Sequence, residues 1–516
     1  MNHLFDTLLG RADPDRQLAH MPGDAWGARD RWYTYGDALD VSARFAATLA
    51  DWGVRPGDRV AVQVEKSIEA VMLYLACLRA GAVFLPLNTA YTPDEVGYFL
   101  TDAEPRVFLC DPARADALAS VARGAGARLE TMGVIRDIED RPGTIFEADR
   151  GPDRGPDHEP GHGPDTAFGT VARGPDDLAA ILYTSGTTGR SKGAMLTHAN
   201  LAHNASVLVD HWRFTRDDRL LHALPIFHTH GLFVACNVTM AAGASMIFLP
   251  AFSPDAVLSH LPEASVLMGV PTFYTRLLAD ERFTREAASH MRLFVSGSAP
   301  LLADTHRAFE ARTGHRVLER YGMTETNMLT SNPYEGERRA GTVGQPLPGT
   351  ELRLDGDGET GGIEVRGPNV FAGYWRMPEK TAEEFTADED GKGGWFRTGD
   401  LGRIDDGYVT IVGRAKDLVI SGGFNIYPKE IEAVLDEQPG VTESAAFGVP
   451  HPDLGEAVVA VIVGDADPDA TLDAARPSLA RFKQPRAVWR VDELPRNTMG
   501  KVQKNVLRER YADTFA

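Results

Sequence analysis

The stretch Tyr183-Thr184-Ser185-Gly186-Thr187-Thr188-Gly189-Arg190-Ser191-Lys192-Gly193 gathers glycines, hydroxyls and a lysine. Glycine lets backbone N–H groups approach an anion closely, hydroxyls donate further hydrogen bonds, and a lysine adds positive charge. That is the chemistry of a phosphate cradle, although a flexible polar turn can have the same composition. An apolar run, Leu178 to Leu182, leads into the stretch and predicts a short buried strand. A Walker loop needs Gly, four residues and then Gly-Lys-Ser/Thr. Here the fifth residue after Gly186 is Ser191, and Lys192 is followed by Gly193, so the stretch departs from that pattern.

Further segments carry groups that suit a nucleotide. In Tyr321-Gly322-Met323-Thr324-Glu325-Thr326, the Glu325 carboxylate can hold Mg²⁺, a hard ion that prefers oxygen. Thr324 can touch a phosphate and Tyr321 offers a flat face to adenine; an ordinary exposed acid is the alternative for Glu325. Trp395-Phe396-Arg397-Thr398-Gly399-Asp400-Leu401 is expected to set Asp400 in a turn. Its two acceptor oxygens suit the vicinal hydroxyls of a ribose, or simply cap the turn. Arg414, in Gly413-Arg414-Ala415-Lys416-Asp417, can pair with phosphate or ribose oxygens or make a plain salt bridge. Ser421-Gly422-Gly423 begins a glycine turn before a helix, and Lys501 lies in a loop near the C-terminus, where a lysine is usually solvated.

The elements that must position these groups alternate between strand and helix. Helices are expected over 36–53, Ile68 to Ala80 (stopped by Gly81), Thr92 to Thr101 (Thr92 as cap, Pro93 first), His198 to Val209, and from Pro271 to Leu278. Strands are expected at Val60–Val64, Ala82–Leu87, Val107–Leu109, Met246–Leu249, Val266–Met268, Leu293–Val295 and Val317–Glu319. This alternation predicts an α/β fold with parallel layers, whose ligands bind in loops after the strands. From 341 the segments shorten and alternate, which predicts a small β-rich subdomain over about 341–402. The expected division is 1–402, an N-terminal domain, and 403–516, a mobile α+β C-terminal domain holding the strands Tyr408 to Val412, Ser444 to Val449 and Val458 to Val463. Residues 149–165 are rich in Gly, Pro and Asp and are expected to form a mobile surface loop.

A chain of 516 residues exceeds one ordinary core. With 53 basic and 73 acidic side chains, its net charge of −20 argues against nucleic acid or an anionic membrane as partner. Cys77, Cys110 and Cys236 lie far apart in apolar surroundings and read as reduced, buried thiols. No basic-then-apolar leader opens the sequence and no apolar run reaches the length of a membrane span, so a cytoplasmic setting is expected.

In their order, these motifs resemble those of the adenylate-forming superfamily, which includes acyl-CoA synthetases, luciferases and peptide-synthetase adenylation domains; the resemblance runs from about residue 30 to 505. It implies a two-step ligase using ATP, Mg²⁺ and coenzyme A. An acid's carboxylate attacks the α-phosphate, pyrophosphate leaves, and the CoA thiol then displaces AMP. The resemblance assigns catalysis to Lys501, Glu325, Thr188 and His228, and Mg²⁺ to Thr188 and Glu325. ATP or AMP falls to Thr184, Ser185, Gly186, Thr187, Thr188, Gly189 and Lys192, to Gly297, Ser298 and Ala299, to Glu319, Arg320, Tyr321, Gly322, Met323 and Thr324, and to Asp400, Arg414 and Lys501. Ser421, Gly422 and Gly423 would line the path of the CoA thiol once the C-terminal domain swings about the 403–406 junction.

The segments expected to meet the acid are polar: Phe227-His228-Thr229-His230-Gly231, Pro271-Thr272-Phe273-Tyr274-Thr275-Arg276 and Ser296-Gly297-Ser298-Ala299-Pro300. A fatty-acid tunnel needs the opposite. Arg276 either meets the second carboxylate of a short diacid or points outward from its helix. The wording of these segments is similar to that of the malonyl-CoA synthetases, which implies malonate held by His228, Thr229, Arg276 and Ser298. Methylmalonate is the expected second substrate, since one methyl group is discriminated by only about 1–3 kcal/mol. The rival readings are a CoA ligase for another short or aromatic acid, a module that loads a carrier protein, and a non-catalytic nucleotide-binding protein. Lys501 is also the expected target of a lysine acetyltransferase, because acetylation removes its charge. The 149–165 tract is longer than the family pattern.

Overall fold

Two large sheets with parallel cores carry the N-terminal part of the computed structural model, which describes residues 1–133, 168–184, 191–356, 358–387, 394–422, 424–496 and 501–515. The 149–165 tract lies outside the described residues. One sheet has the order Arg128–Thr131, Val107–Cys110, Arg59–Gln63, Val83–Pro86, Leu178–Thr184, Lys192–Thr197, and only its last pair is antiparallel. The other has nine strands among the described residues. Its parallel centre is Leu318–Met323, Leu293–Ser296, Val266–Gly269, Arg219–His222, Ser245–Phe248 and Gln17–Met21, with antiparallel neighbours at both ends.

The helix Ile68–Ala80 is buried on almost every face, as expected of a segment apolar all round. Ser67 caps its start by accepting from the Ala70 N–H, and Gly81, at φ 72°, ends it in the left-handed region. Parallel pairing brings the C-terminal ends of the central strands to one edge, where the loops of the candidate site lie.

The β-rich part is an antiparallel sheet of Glu351–Asp355, Gly361–Arg366, Gly394–Asp405, Phe385–Ala387 and Tyr408–Arg414. Two expectations change here. Asp400 is not in a turn: it lies within the strand Gly394–Asp405, directly opposite Arg414. Tyr408 to Val412, expected in the C-terminal domain, pairs instead with Gly394–Asp405, so Asp406–Gly407 is a hairpin turn inside one sheet. A similar change affects Tyr321, Gly322 and Met323, which continue their strand and pair antiparallel with Asn327–Ser331.

The last sheet comprises Phe424–Ile426, Val419–Ser421, Gly455–Gly464, Val441–His451 and Val488–Arg490. Its two long strands alternate. Ala446, Val458 and Ala460 pack on one face with Ile431 and Leu435, while Ala445, Phe447, Val459 and Val461 pack on the other with Leu494 and Leu507. Only the short turn Ala415–Asp417 and Leu418 separate the strand ending at Arg414 from the one starting at Val419. Among the described residues no helix is long and apolar enough to cross a membrane.

Candidate active site

Two paired strands flank the proposed phosphate cradle. Leu178–Thr184 and Lys192–Thr197 pair antiparallel, with Thr184 opposite Lys192. Ser185, Gly186, Thr187, Thr188 and Gly189 lie outside the described residues. At the base, Lys192 Nζ is 3.2 Å from Glu384 Oε1 and 4.2 Å above the Tyr374 ring. The Tyr374 hydroxyl donates to Glu325 Oε1 at 3.1 Å, which links these strands to the next motif.

Glu325 follows the strand Leu318–Met323, where Gly322 is obligatory: a Cβ there would lie 1.9 Å from the Asn327 carbonyl oxygen. Met323 and Thr324 are half-buried and Glu325 is buried. Burial raises the Glu325 carboxyl above its ordinary range, while Lys192 and Arg414 pull it back. A buried carboxylate whose charge is this costly fits a hard cation such as Mg²⁺.

Asp400 is 4% exposed and ties two motifs together. It accepts from the Tyr321 hydroxyl at 2.5 Å and from Arg414 Nε at 2.9 Å. Asp400 in turn holds the Arg414 guanidinium above its usual range, and burial pushes the Tyr321 hydroxyl well up. Lys501 joins this group from the far end of the chain. Arg496 and Val502 bridge antiparallel, and Gln503 N donates to the Pro495 carbonyl at 2.7 Å, so the segment is pinned on both sides of the lysine. The residue as a whole is exposed, yet the charges of Arg414, Asp400 and Glu325 all bear on its ammonium. Desolvation and Arg414 lower its pKa, against the two carboxylates.

The acid-side residues converge from three elements. Thr229 and His230 begin the π-helical turn His230–Cys236, whose wide first loop has the Val234 N–H donating to the Thr229 carbonyl. Gly231 packs so closely that a Cβ would lie 1.9 Å from the Pro225 carbonyl oxygen. His228 is held neutral, its pKa lowered to about 4 by burial and by Lys501. His230 Nδ1 lies 3.1 Å from Ser298 Oγ, and Ser298 adopts the left-handed φ of 71°. Gly297 is buried and Ala299 exposed. Buried polar atoms of His228, Thr229, His230, Ser296, Glu319 and Arg320 have no hydrogen-bond partner among the described residues. Such a set is costly in a bare core and suited to a polar ligand.

Arg276, the expected diacid ligand, is exposed, with its guanidinium 5.0 Å from the Phe252 ring centre. Phe252 stacks on Phe273, and both line a cavity of about 460 Å³ with Lys66, Phe84, Phe227 and Leu232. Ser421 and Gly422 bond within the C-terminal sheet, Ser421 opposite Phe424 and Gly455, and Gly422 N to the Leu454 carbonyl at 2.9 Å; Gly423 lies outside the described residues.

Sequence reading missed Tyr374, Glu384 and the Lys66–His222 pair. Lys66 Nζ donates to His222 Nδ1 and to its carbonyl, both at 2.9 Å, and His222 Nε2 donates to the Gly231 carbonyl at 2.8 Å. Burial lowers the Lys66 pKa to about 7. These groups brace the site from distant parts of the chain, and no local motif marks them.

This constellation has the donors and acceptors to take a nucleotide beside a small polar acid. A family pattern described as AMP-binding enzyme matches residues 12–375, and one described as AMP-binding enzyme C-terminal domain matches residues 430–501. The chain belongs to the AMP-binding enzyme family. It is 55% identical to the ATP-bound crystal structure of MatB from Rhodopseudomonas palustris, with a TM-score of 0.91 and 100% coverage of both chains; against apo MatB the TM-score is 0.81. It is 34% identical to a malonate–CoA ligase of Arabidopsis thaliana, covering 98% of this chain and 90% of that protein. It is 37% identical to a feruloyl-CoA synthase of an Amycolatopsis species, covering 93% and 94%.

Proposed function

We propose that this protein is a malonate–CoA ligase that works through malonyl-AMP and also accepts methylmalonate. The observation that carries the reading is the buried Asp400 carboxylate, which accepts from the Tyr321 hydroxyl at 2.5 Å and from Arg414 Nε at 2.9 Å, with the charge of Lys501 bearing on the same group. Asp400 is placed to accept from the ribose hydroxyls while Arg414 and Tyr321 hold it in position. A malonate oxygen attacks the α-phosphorus, and the bond to pyrophosphate breaks. Lys501 stabilises the charge that builds on the phosphoryl oxygens. Glu325 and Thr188 would hold Mg²⁺, which would supply further positive charge to the polyphosphate. The CoA sulfur then attacks the acyl carbon, and AMP leaves.

The second step needs a different arrangement, since Ser421 and Gly422 are engaged within the C-terminal sheet. The better match to ATP-bound than to apo MatB supports reading this as the adenylating arrangement. We place the pivot in Ala415–Leu418, because Asp405 to Arg414 is locked in the β-rich sheet. Rotation there would withdraw Lys501 and bring Gly422–Gly423 to the acyl-adenylate. The three buried, unpaired thiols Cys77, Cys110 and Cys236 suit a cytosolic setting. We assign Lys501 as the target of an acetyltransferase; acetylated protein with undiminished adenylation would exclude that control.

The test is a panel of malonate, methylmalonate, acetate, ferulate and amino acids, with AMP release measured with and without CoA. Malonate should lead, with release dependent on CoA. Preference for ferulate, or release independent of CoA, removes the proposal.

A further inference from the structure

We infer that Glu432 is a positioning residue for adenylation: through Lys504 it fixes the segment from which Lys501 acts. The assignment rests on the role given to Lys501 above. Val502 bridges to Arg496, and Gln503 N donates to the Pro495 carbonyl, so the chain on both sides of Lys501 forms one narrow pair outside the sheets. Such a pair is marginal by itself and takes its direction from what it is fastened to.

Three attachments differ in what they can fix. Val502 and Leu507 pack in the apolar cluster with Phe447 and Val459. Apolar contact is non-directional, so it sets depth and leaves rotation open. Arg496 pairs with Glu443, but their side chains are 37% and 33% exposed, and an ion pair so open to water contributes little. Lys504 pairs with Glu432 at 2.5 Å, with side chains only 14% and 3% exposed. A pair so enclosed is costly to break, and it has direction.

Glu432 is held ready for that ammonium. It belongs to the helix Pro428–Asp436. Its Oε1 accepts from Lys504 Nζ and, at 3.0 Å, from Ala446 N on the strand Val441–His451; its Oε2 meets Lys429 Nζ at 2.9 Å. Burial penalises the charge, yet Lys429 and Lys504 keep the carboxyl below its ordinary range. Lys504 itself opens the helix Lys504–Arg510, where a positive charge opposes the helix dipole. Its partner, not its helix, accounts for a lysine there. Lys501 stands three residues earlier, within about 11 Å of chain, so slack at Lys504 passes to the ammonium on which Arg414, Asp400 and Glu325 bear.

The experiment measures malonate-dependent ATP–pyrophosphate exchange, and thioester formation from supplied malonyl-AMP. It uses wild type, Lys504→Met, Lys504→Arg, Lys501→Ala and the double variant Lys501→Ala/Lys504→Met. In Lys504→Met, exchange kcat should fall about 10–10²-fold, the scale for a catalytic group displaced by about 1 Å, while KM for ATP and malonate and the thioester step stay within about twofold. Lys504→Arg keeps the ion pair and should restore exchange to within about threefold of wild type. On the Lys501→Ala background, Lys504→Met should cost nothing further, because it acts through the missing ammonium. Glu432→Asp keeps the charge but draws it back by a methylene; it should show the same split and serves if Lys504→Met fails to fold. Exchange kcat within about threefold of wild type in the folded variant, equal loss of both half-reactions, or an undiminished loss on the Lys501→Ala background overturns the assignment. Wild type without malonate-dependent exchange defeats the malonate reading itself; active wild type beside an unaffected variant defeats only the role of Glu432.

Discussion

The two halves of the site are built on opposite principles. On the nucleotide side, Asp400, Tyr321 and Arg414 satisfy one another, and the charge of Lys501 bears on them. On the acid side, His228, Thr229, His230, Ser296 and Arg320 hold buried polar atoms without a partner among the described residues. The first half stabilises the fold and lends its hydrogen bonds to the ligand. The second costs stability, held in reserve until the acid arrives. The same strand, Leu318–Met323, carries both, with Arg320 facing one and Tyr321 the other.

The contrast can be broken by substitution. Lys501→Ala should lower adenylation by about 10³-fold or more, the scale of one lost transition-state electrostatic contact, yet leave thioester formation from supplied malonyl-AMP. Equal loss of both half-reactions would make Lys501 structural. Asp400→Ala should cost about 1–3 kcal/mol in urea denaturation, because it leaves the Tyr321 hydroxyl unpaired and takes the partner from the part-exposed Arg414. A change within 1 kcal/mol, on the order of a surface substitution, would mean the network is not braced as described. Arg320→Met should have the opposite sign, raising stability by about 1–2 kcal/mol as idle donors disappear. A destabilised Arg320→Met would erase the distinction between the halves.

The smallest effect concerns pH. His228 has a folded pKa of about 4, against an ordinary value of 6.5. The unfolded chain therefore binds its proton first as pH falls. The stability held by neutral His228 is complete above 6.5 and drains away between 6.5 and 4, by about 1 kcal/mol at pH 5.5. His228→Asn should flatten that part of the stability–pH curve, measured by urea midpoints from pH 7.5 to 5. An unchanged slope would show that His228 does not titrate this way.

Much of the scaffold was legible because its ends are chemically marked. Pro93 after Thr92, Gly81 after Ala80 and Pro271 each fix a helix limit where the structure has one. The strand through Asp400 was not, because Gly399 and the irregular register at Leu401/Gly402 look like turn chemistry and only pairing with Arg414 makes them a strand. Tyr408 to Val412 was misplaced for the same reason: which sheet a strand joins is a non-local fact. The candidate groups themselves stood out by type and order, but their partners Tyr374 and Glu384 did not. Nor could spacing show that Arg276 is exposed and Arg320 buried, since burial is set by the neighbours.

The link Ala415–Leu418 begins one residue beyond Arg414, whose guanidinium is bonded to the proposed ribose acceptor. An axle placed there is bolted to the clamp at one end and free at the other. On the proposed reading, the small unit would turn there while the clamp stays shut, and the catalyst would exchange one tool for another without dropping the workpiece.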